Sequence, residues 1–373
     1  MKATKALKIA LIGTATLLVL LLVFGCGEKQ AMPTAAEPTV KTNEWTLDNP
    51  AIKAVIAVQE RHTAELMKNP EVVGTAVTVT EDGQPVIMVM AKSAALQKGP
   101  GGIPAELESV PLVIEVTGEI KALKTTTPAV SHTAKQTAPI QLGTSGGWSY
   151  DLANGYCCGG TLGSLITIGG QQHILSNYHV LEADIIAGGN SKIAANGDPV
   201  IQPGLIDINC TAANGQNVGT LVLKHSLPNS NVDCAVAKVI SGMVSPTGAI
   251  LEIGTISSST IAAAVGQAVK KSGRTTGLTR SSVSALNGTV SITYENECAG
   301  GTAFTKTFTG QIIIANKRSK FLAGGDSGSL MVQDVTTNPK AVGLLFAGST
   351  TTAIANPIGQ VLSFLGGATM VGN

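Results

Sequence analysis

The sequence is poor in charged residues and carries almost no net charge. Asp, Glu, Lys and Arg together make up 13% of its 373 residues, and the formal net charge is +1. Because the lysines and arginines are also scattered, no basic surface for nucleic acid is predicted. Low charge combined with 43 glycines argues against a disordered chain and fits an exported protein rich in β-strands.

Metal-site spacings and internal repeats are also missing. Cys and His occur at no spacing typical of a metal site, so neither a metal nor another cofactor is expected. The lack of a repeat excludes solenoids and propellers. Beyond residue 26 the cysteines form an odd set, so at least one is expected to be free or to pair outside the chain. Of Cys157, Cys158, Cys210, Cys234 and Cys298, Cys234 is expected to be a buried packing thiol because it lies within an apolar run.

The first 26 residues are predicted to be an export signal. Lysines at positions 2, 5 and 8 precede an apolar run over 9–24, which is the pattern of a signal peptide. The run closes on Val23-Phe24-Gly25-Cys26, which resembles a bacterial lipobox, so we expect Cys26 to be lipidated and to hold the protein at the envelope membrane. An uncleaved anchor is the alternative. Both place the rest of the chain outside the cytoplasm, behind a polar tether at 27–43.

Residues 44–123 are predicted to form a small α-β-β-α-β domain. Asp48-Asn49-Pro50 is a helix start, and apolar residues follow at helical spacing as far as Leu66. Apolar runs at 72–80 and 85–91, joined by a polar turn, predict a hairpin. A short helix from Pro104 and a strand over 112–116 complete the unit, which is compatible with a folding aid, a regulator or a spacer.

The remainder of the chain is predicted to be a linker followed by a β-rich domain. Residues 124–147 are rich in threonine, proline, alanine and glycine without periodicity, so we interpret them as an interdomain linker and a place for processing. Over 148–367 short apolar runs alternate with glycine, asparagine and proline clusters, which favours a sandwich or a pair of barrels. A helix is predicted to begin after Asn356-Pro357.

A serine set between glycines is the strongest sign of chemistry. Ser327 lies in Gly324-Gly325-Asp326-Ser327-Gly328-Ser329, just before an apolar run. A serine hydroxyl is a weak nucleophile unless a base takes its proton, so reactivity here requires a histidine and a group that orients it. His179, at the end of an apolar strand, and Asp233, at the start of another, are the candidates. An ordinary turn is the alternative for Ser327.

Other histidines and aspartates are weaker candidates. His173 begins the strand that ends at the candidate base, while His225 and His132 lie in a loop and in the linker without an apolar approach. Asp198 and Asp207 lie in turn-like surroundings, where an aspartate usually caps its own backbone.

The candidate residues occur in the order His, Asp, Ser, and their segments resemble those of chymotrypsin-like serine peptidases. Asn177-Tyr178-His179-Val180 resembles the segment of the general base, Val232-Asp233-Cys234-Ala235-Val236 the aspartate strand, and Gly-Asp-Ser-Gly-Ser the nucleophile loop. Lys271-Ser272-Gly273-Arg274-Thr275-Thr276-Gly277-Leu278-Thr279 is similar to a strand and turn of bacterial members such as α-lytic protease and the streptogrisins. The resemblance spans about 146–367. It implies a mainly β fold of two six-stranded barrels with a C-terminal helix, here preceded by the small α+β domain.

The resemblance also implies a mechanism. Ser327 would attack a peptide carbonyl, His179 would accept and return the proton, and Asp233 would orient His179. The N–H groups of Gly325 and Ser327 would form the oxyanion hole, and glycine at 325 suits a peptide turned inward.

Two further features of the family are expected here. In zymogen-activated relatives the counterpart of Asp326 is paired by a freshly cut N-terminus. In this chain we expect Arg274 to pair with Asp326, a solvated turn residue being the alternative. Phe346-Ala347-Gly348 would be the edge strand that binds an extended peptide or protein substrate. Residues 321–326 contain no acid other than Asp326, which favours an apolar side chain in the specificity pocket.

Three functions therefore remain open from the sequence. The residues favour an active serine endopeptidase tethered outside the cell membrane, because all three triad residue types and the glycine-rich loop are present. A catalytically silent peptide-binding protein and an envelope lipoprotein in which the barrels are only a scaffold are the alternatives.

Overall fold

The computed structural model describes residues 45–99, 102–121, 132–153, 156–182, 193–294, 303–317 and 320–373. The predicted signal, the predicted lipidation site Cys26 and the predicted tether at 27–43 lie outside these ranges, as does Cys298. Within the described part of the chain, no helix is both long enough and apolar enough to cross a membrane.

The first described residues form a small module of one helix and four strands. Asn49 caps the helix through its side chain, which accepts from the Ala51 N–H at 2.8 Å, and Pro50 occupies the first turn, so the predicted helix start is confirmed. The elements are α1 (Pro50–Leu66), β1 (Val72–Val79), β2 (Pro85–Ala91), β3 (Glu106–Leu107) and β4 (Val110–Val116). β1 and β2 are antiparallel, whereas β2 and β4 are parallel.

The helix predicted from Pro104 is wrong. The chain instead forms the short strand β3, which turns through Glu108 and Ser109 into β4. Both turn residues have positive φ, 48° and 66°, as a two-residue hairpin turn requires. Too few residues separate Pro104 from this turn for a helix to form.

The first barrel follows. Its elements are β5 (Thr144–Trp148), β6 (Leu152–Ala153), β7 (Tyr156–Cys157), β8 (Gly160–Leu162), β9 (Ser164–Ile168), β10 (Gln171–Ser176), α2 (Tyr178–Leu181), β11 (Pro199–Gln202), β12 (Gln216–Val222) and β13 (Ala235–Val239). The strands pair in the order β9-β10-β13-β12-β11-β5-β8. Only Gly163 separates β8 from β9, so the two ends of this sheet are nearly one strand and the sheet curls back on itself.

The second barrel closes fully with six strands. Its elements are β14 (Ala268–Gly273), β15 (Gly277–Tyr294), β16 (Phe304–Ala315), β17 (Leu330–Gln333), β18 (Ala341–Gly348) and β19 (Thr352–Pro357), followed by α3 (Ile358–Phe364) and β20 (Thr369–Met370). The order β14-β17-β18-β19-β16-β15 is completed by a β14–β15 pairing. The predicted mainly β double-barrel fold with a C-terminal helix is thus confirmed.

The small module shares a sheet with the second barrel. β1 pairs antiparallel with the long strand β15, with Gly74 opposite Val290 and Thr75 opposite Thr289. The Gln59 side chain of α1 also bonds Asn287, donating to its carbonyl at 3.1 Å and accepting from its side-chain amide at 3.0 Å. Module and barrel are therefore joined by backbone hydrogen bonds as well as by side chains.

The stretch predicted as a linker, 124–147, is packed from His132 onward. His132, Ile140 and Leu142 are buried, and β5 already begins at Thr144. Ile140 and Leu142 form β-bridges to Val244 and Ile250. The linker prediction failed because a loop-like composition does not prevent a segment from forming such bridges.

Three of the described cysteines are disulfide-bonded and one is a free thiol. Cys157 and Cys210 form a disulfide across 53 residues, and Cys158 is disulfide-bonded as well. Cys234 is a free, buried thiol, as predicted. Burial first, and then the charge of Asp233, raise the pKa of its thiol well above the usual value.

Substituting Gly74 tests the junction between β1 and β15. A Cβ at this position would lie 2.5 Å from the Thr289 carbonyl oxygen and 2.6 Å from Met90 Cε. We expect Gly74→Ala to lower the free energy of unfolding by about 1–3 kcal/mol in denaturant titrations, because one of the crowding atoms is backbone.

Gly359→Ala is the matched control, since nothing lies within 4 Å of its added Cβ and it lies in α3. This control should be neutral or stabilising by up to about 1 kcal/mol. Equal stability of Gly74→Ala and the wild type would contradict the β1–β15 pairing.

Candidate active site

His179 lies on a single helical turn at the end of a barrel strand. β10 ends at Ser176 and the chain turns through Asn177 into α2. The Asn177 side-chain amide donates to the Asp233 carbonyl at 2.6 Å, which fixes the start of this turn against the segment before β13. His179 itself is only 6% exposed.

Asp233 is fully buried and binds the turn that carries His179. Its Oδ2 lies 2.7 Å from His179 Nδ1, and its Oδ1 accepts the Tyr178 N–H at 2.7 Å. A carboxylate acceptor requires the imidazole proton on Nδ1, which leaves the lone pair on Nε2. Nε2 is buried and has no hydrogen-bond partner among the described residues, so it can accept a proton.

Tyr294 is a member of the site that the sequence did not reveal. Its hydroxyl donates to Asp233 Oδ2 at 2.8 Å, and its ring meets that of His179 with centroids 5.8 Å apart. Burial, followed by the negative charge of Asp233, raises the pKa of Tyr294 well above its usual value, so the hydroxyl keeps its proton. The only signal in the sequence was a tyrosine in an apolar strand, since a buried tyrosine hydroxyl usually needs a partner.

Ser327 lies on a tight turn between Gly325 and Gly328, whose φ angles are +87° and +93°. These are values that residues with a Cβ rarely adopt. Ser327 is 1% exposed, and its hydroxyl donates to the Phe346 carbonyl at 3.3 Å. In this structure the hydroxyl is therefore turned toward β18.

Gly160 lies close to both the turn that bears Ser327 and the helix that bears His179. A Cβ built on Gly160 would lie 2.5 Å from Val180 Cγ2 and 3.0 Å from the Ser327 carbonyl oxygen. The residue after His179 and the backbone of Ser327 thus approach the same point. The Thr161 N–H also donates to the Ser327 carbonyl at 2.8 Å, which ties the first barrel to this turn.

The peptide before Gly325 is held in one orientation. Thr275 Oγ1 donates to the Gly324 carbonyl at 2.6 Å, and Thr161 Oγ1 donates to the Gly325 carbonyl at 2.9 Å. Because the peptide is planar and trans, the Gly325 N–H points away from the Gly324 carbonyl. It has no acceptor among the described residues.

The predicted pairing of Arg274 with Asp326 is wrong, because Lys271 takes that role. Lys271 Nζ lies 3.2 Å from Asp326 Oδ2, and both side chains are fully buried. The carboxylate also accepts from the N–H groups of Thr275, Thr276 and Ala323 at 2.9, 3.1 and 3.0 Å. Burial lowers the pKa of Lys271 from its usual value, and the Asp326 charge opposes that shift.

Arg274 pairs with Asp207 instead. Its Nε and Nη2 bind the two carboxylate oxygens of Asp207 at 2.7 and 2.6 Å, a bidentate arrangement. Asp207 also accepts from Ser145 Oγ, so it is not the self-capping residue that was predicted. Lys271 lies inside β14 and reaches the interior, whereas Arg274 follows the strand and turns toward the first barrel.

The remaining candidates lie in other environments. His173 Nδ1 lies 2.9 Å from the Gln171 carbonyl, and His132 lies between the Gly143 carbonyl and Glu252. The His225 N–H donates to Glu182. Asp198 accepts from the Trp148 indole at 2.9 Å. The described residues contain no cluster of His, Cys, Asp and Glu side chains that could hold a metal ion.

The Tyr294 hydroxyl is expected to stabilise the fold as well as the site. Tyr294→Phe removes one donor from a buried carboxylate, so we expect a loss of about 1.5–3 kcal/mol in the free energy of unfolding. Tyr156→Phe is the control, since Tyr156 is 58% exposed and should change stability by less than about 0.5 kcal/mol. Equal values for both variants would show that Tyr294 does not bind Asp233.

The buried pair of Lys271 and Asp326 gives a larger expected effect. Lys271→Met leaves the Asp326 carboxylate buried without its countercharge, so unfolding should become easier by about 3–5 kcal/mol. Lys340→Met, at an exposed lysine, should change stability by less than about 0.5 kcal/mol. A change of less than about 0.5 kcal/mol in Lys271→Met as well would contradict the pairing of Lys271 with Asp326.

Comparison with known proteins gives one family model and several solved structures. Residues 227–356 match the model of the Nal1 C-terminal domain, which is roughly a third of the chain. No curated protein matches the sequence.

Several similar solved structures are proteases with low sequence identity. A glutamic acid-specific serine protease that uses a histidine triad in substrate binding is 21% identical, with 62% of this chain and 100% of that chain covered and a TM-score of 0.40. Thermobifida fusca protease A is 20% identical, with 63% and 99% covered and a TM-score of 0.41. Cellulomonas bogoriensis chymotrypsin is 18% identical, with 63% and 99% covered and a TM-score of 0.39.

Proposed function

We propose that this protein is a serine endopeptidase that hydrolyses peptide bonds through Ser327, His179 and Asp233. The observation that carries the proposal is the buried contact of 2.7 Å between Asp233 and His179 Nδ1. This contact leaves Nε2 without a hydrogen-bond partner among the described residues. The next residue, Val180, lies close to the turn that bears Ser327, since a Cβ on Gly160 would crowd both. If His179 and the glycine-rich turn had no catalytic role, a fully buried carboxylate would not be needed to orient the imidazole.

The proposed reaction runs through an acyl-enzyme. Ser327 Oγ exchanges its bond to the Phe346 carbonyl for one to His179 Nε2, gives up its proton and attacks the substrate carbonyl. Such catalytic hydrogen bonds often tighten only when substrate is bound. His179 then gives the proton to the leaving amine, and water releases the acyl group by the same steps in reverse. Asp233 holds the tautomer and stabilises the imidazolium.

Backbone N–H groups are proposed to stabilise the oxyanion that develops on the substrate carbonyl. The N–H groups of Gly325 and Ser327 are the proposed donors, and loss of one such donor typically lowers the rate by about 10²–10³. Support comes from the positive φ of Gly325 and from the threonine bonds that fix its peptide. The Asp326 carboxylate pairs with Lys271 and accepts from the N–H groups of Thr275, Thr276 and Ala323. These bonds hold the same loop without a newly cut N-terminus.

We further propose that the enzyme acts outside the cytoplasm while tethered to the envelope membrane. The lysine-rich start, the apolar run and Cys26 support this location. The disulfide between Cys157 and Cys210 also favours an oxidising compartment, where such bonds persist.

Covalent labelling with a fluorophosphonate tests the activity directly. The wild-type chain should be labelled on Ser327, as mapped by peptide mass spectrometry. Ser327→Ala and His179→Ala should lose the label while retaining the wild-type circular dichroism spectrum. Ser329→Ala is the control, because this neighbouring serine donates to the Asp326 carbonyl and has no proposed role as nucleophile.

Absence of label from a correctly folded wild-type chain would reject the endopeptidase. That outcome would favour the silent peptide-binding or scaffold alternatives.

A further inference from the structure

One oxygen of the buried Asp233 carboxylate receives donors from both barrels. Asp233 Oδ2 lies 2.7 Å from His179 Nδ1 and accepts the Tyr294 hydroxyl at 2.8 Å, whereas Oδ1 accepts the Tyr178 N–H. Among the residues that the structure describes, His179 is the only basic side chain that pairs with Asp233. The imidazole and the tyrosine hydroxyl therefore share the negative charge of the same oxygen.

Aromatic packing holds the Tyr294 ring in this position. The ring stacks on Phe304, with centroids 4.9 Å apart and an interplanar angle of 12°, and it lies 6.4 Å from the ring of Phe308. Phe304 is also the residue opposite Tyr294 in the pairing of β15 with β16. Because Tyr294 is only 5% exposed, its hydroxyl cannot turn from Asp233 to water without displacing these rings.

Other titratable groups surround this site on the first barrel. They are Tyr178, Glu182, Lys224, His225 and Cys234. Burial raises the pKa of the Cys234 thiol and of the Glu182 carboxyl, and Glu182 accepts two backbone N–H groups of the loop at 224–225. Of all these groups, Tyr294 alone has a side chain that is hydrogen-bonded to the oxygen that orients the imidazole.

We propose that Tyr294 is a positioning residue that sets the strength of His179 as a base, because it shares the Asp233 oxygen to which the imidazole donates. This inference rests on the proposed endopeptidase function. The hydrogen bond from Tyr294 draws negative charge from Oδ2, so this oxygen stabilises an imidazolium less than an unshared carboxylate oxygen would. His179 consequently stays unprotonated, and able to accept the proton of Ser327, down to a lower pH.

Removal of the hydroxyl should move the acid limb of the activity profile to higher pH. Hydrolysis of p-nitrophenyl acetate by the full chain would be measured from about pH 4 to about pH 9, with the rate of Ser327→Ala subtracted at each pH. In Tyr294→Phe the pH of half-maximal kcat/KM should rise by about 0.5–1 unit, since the unshared oxygen holds the imidazolium more strongly. Phe308→Leu is the matched control, because it loses packing beside the same ring and keeps the hydroxyl, so its midpoint should equal that of the wild type.

A nearly isosteric variant covers the case in which Tyr294→Phe does not fold. Tyr294→3-fluorotyrosine, introduced by amber suppression, makes the phenol a stronger donor with little change in size. Its midpoint should therefore lie about 0.2–0.5 unit below that of the wild type. An unchanged midpoint in whichever of the two Tyr294 variants folds would overturn the proposal, as would equal rises in Tyr294→Phe and Phe308→Leu.

A titration that requires no activity separates this proposal from the endopeptidase. In Ser327→Ala with isotope-labelled histidine, the ring nitrogens of His179, assigned by their loss in His179→Ala, report by NMR when the imidazole gains its second proton. Adding Tyr294→Phe should raise this midpoint by the same amount, about 0.5–1 unit, even if the wild type hydrolyses no ester and accepts no fluorophosphonate. An inactive wild type with a shifted titration would reject the endopeptidase alone. Coincident titrations with and without the hydroxyl would reject the role of Tyr294.

Discussion

The site depends on one buried carboxylate that both barrels must satisfy. Asp233 has no exposure to solvent, and an isolated charge there would be strongly unfavourable. Its oxygens receive the Tyr178 N–H, the His179 imidazole and the Tyr294 hydroxyl, while its own N–H donates to Asn356 Oδ1 at 2.9 Å. The first two donors belong to the first barrel, and Tyr294 and Asn356 belong to the second. Packing the two barrels together therefore fixes the orientation of the His179 imidazole.

A second buried charge organises the turn that carries Ser327. Asp326 binds three backbone N–H groups and Lys271, so the loop that carries Ser327 is held from within the second barrel. Buried pairs of this kind stabilise mainly by specifying one arrangement, since desolvation offsets much of their attraction. Here the arrangement specified is that of the turn that carries Ser327, which Asp326 ties to Thr275, Thr276 and Ala323. No contribution from the chain terminus is needed to balance the carboxylate.

The sequence predicted features set by local chemistry and missed those set by long-range register. Asn49-Pro50 specified a helix start through capping and a fixed φ, and the glycines around Ser327 specified a tight turn. The contact of Tyr294 with Asp233 could not be predicted, because it depends on the register of an 18-residue strand within the barrel. Lys271 and Arg274 are three residues apart. Lys271 points to the interior because it lies within β14, whereas Arg274 follows the end of the strand, and the sequence does not mark where that strand ends. The pairing of β1 with β15, and of Lys121 with Gly348, joins sheet edges that no local pattern marks.

Detection of the acyl-enzyme is the measurement that tests the central claim most directly. The full chain would be mixed with an activated ester, quenched in acid within seconds and analysed by intact-mass and peptide mass spectrometry. The account predicts a transient adduct on the peptide that contains Ser327, which forms and then decays as the ester is consumed. Ester turnover with no adduct on Ser327, or an adduct on another residue, would contradict it.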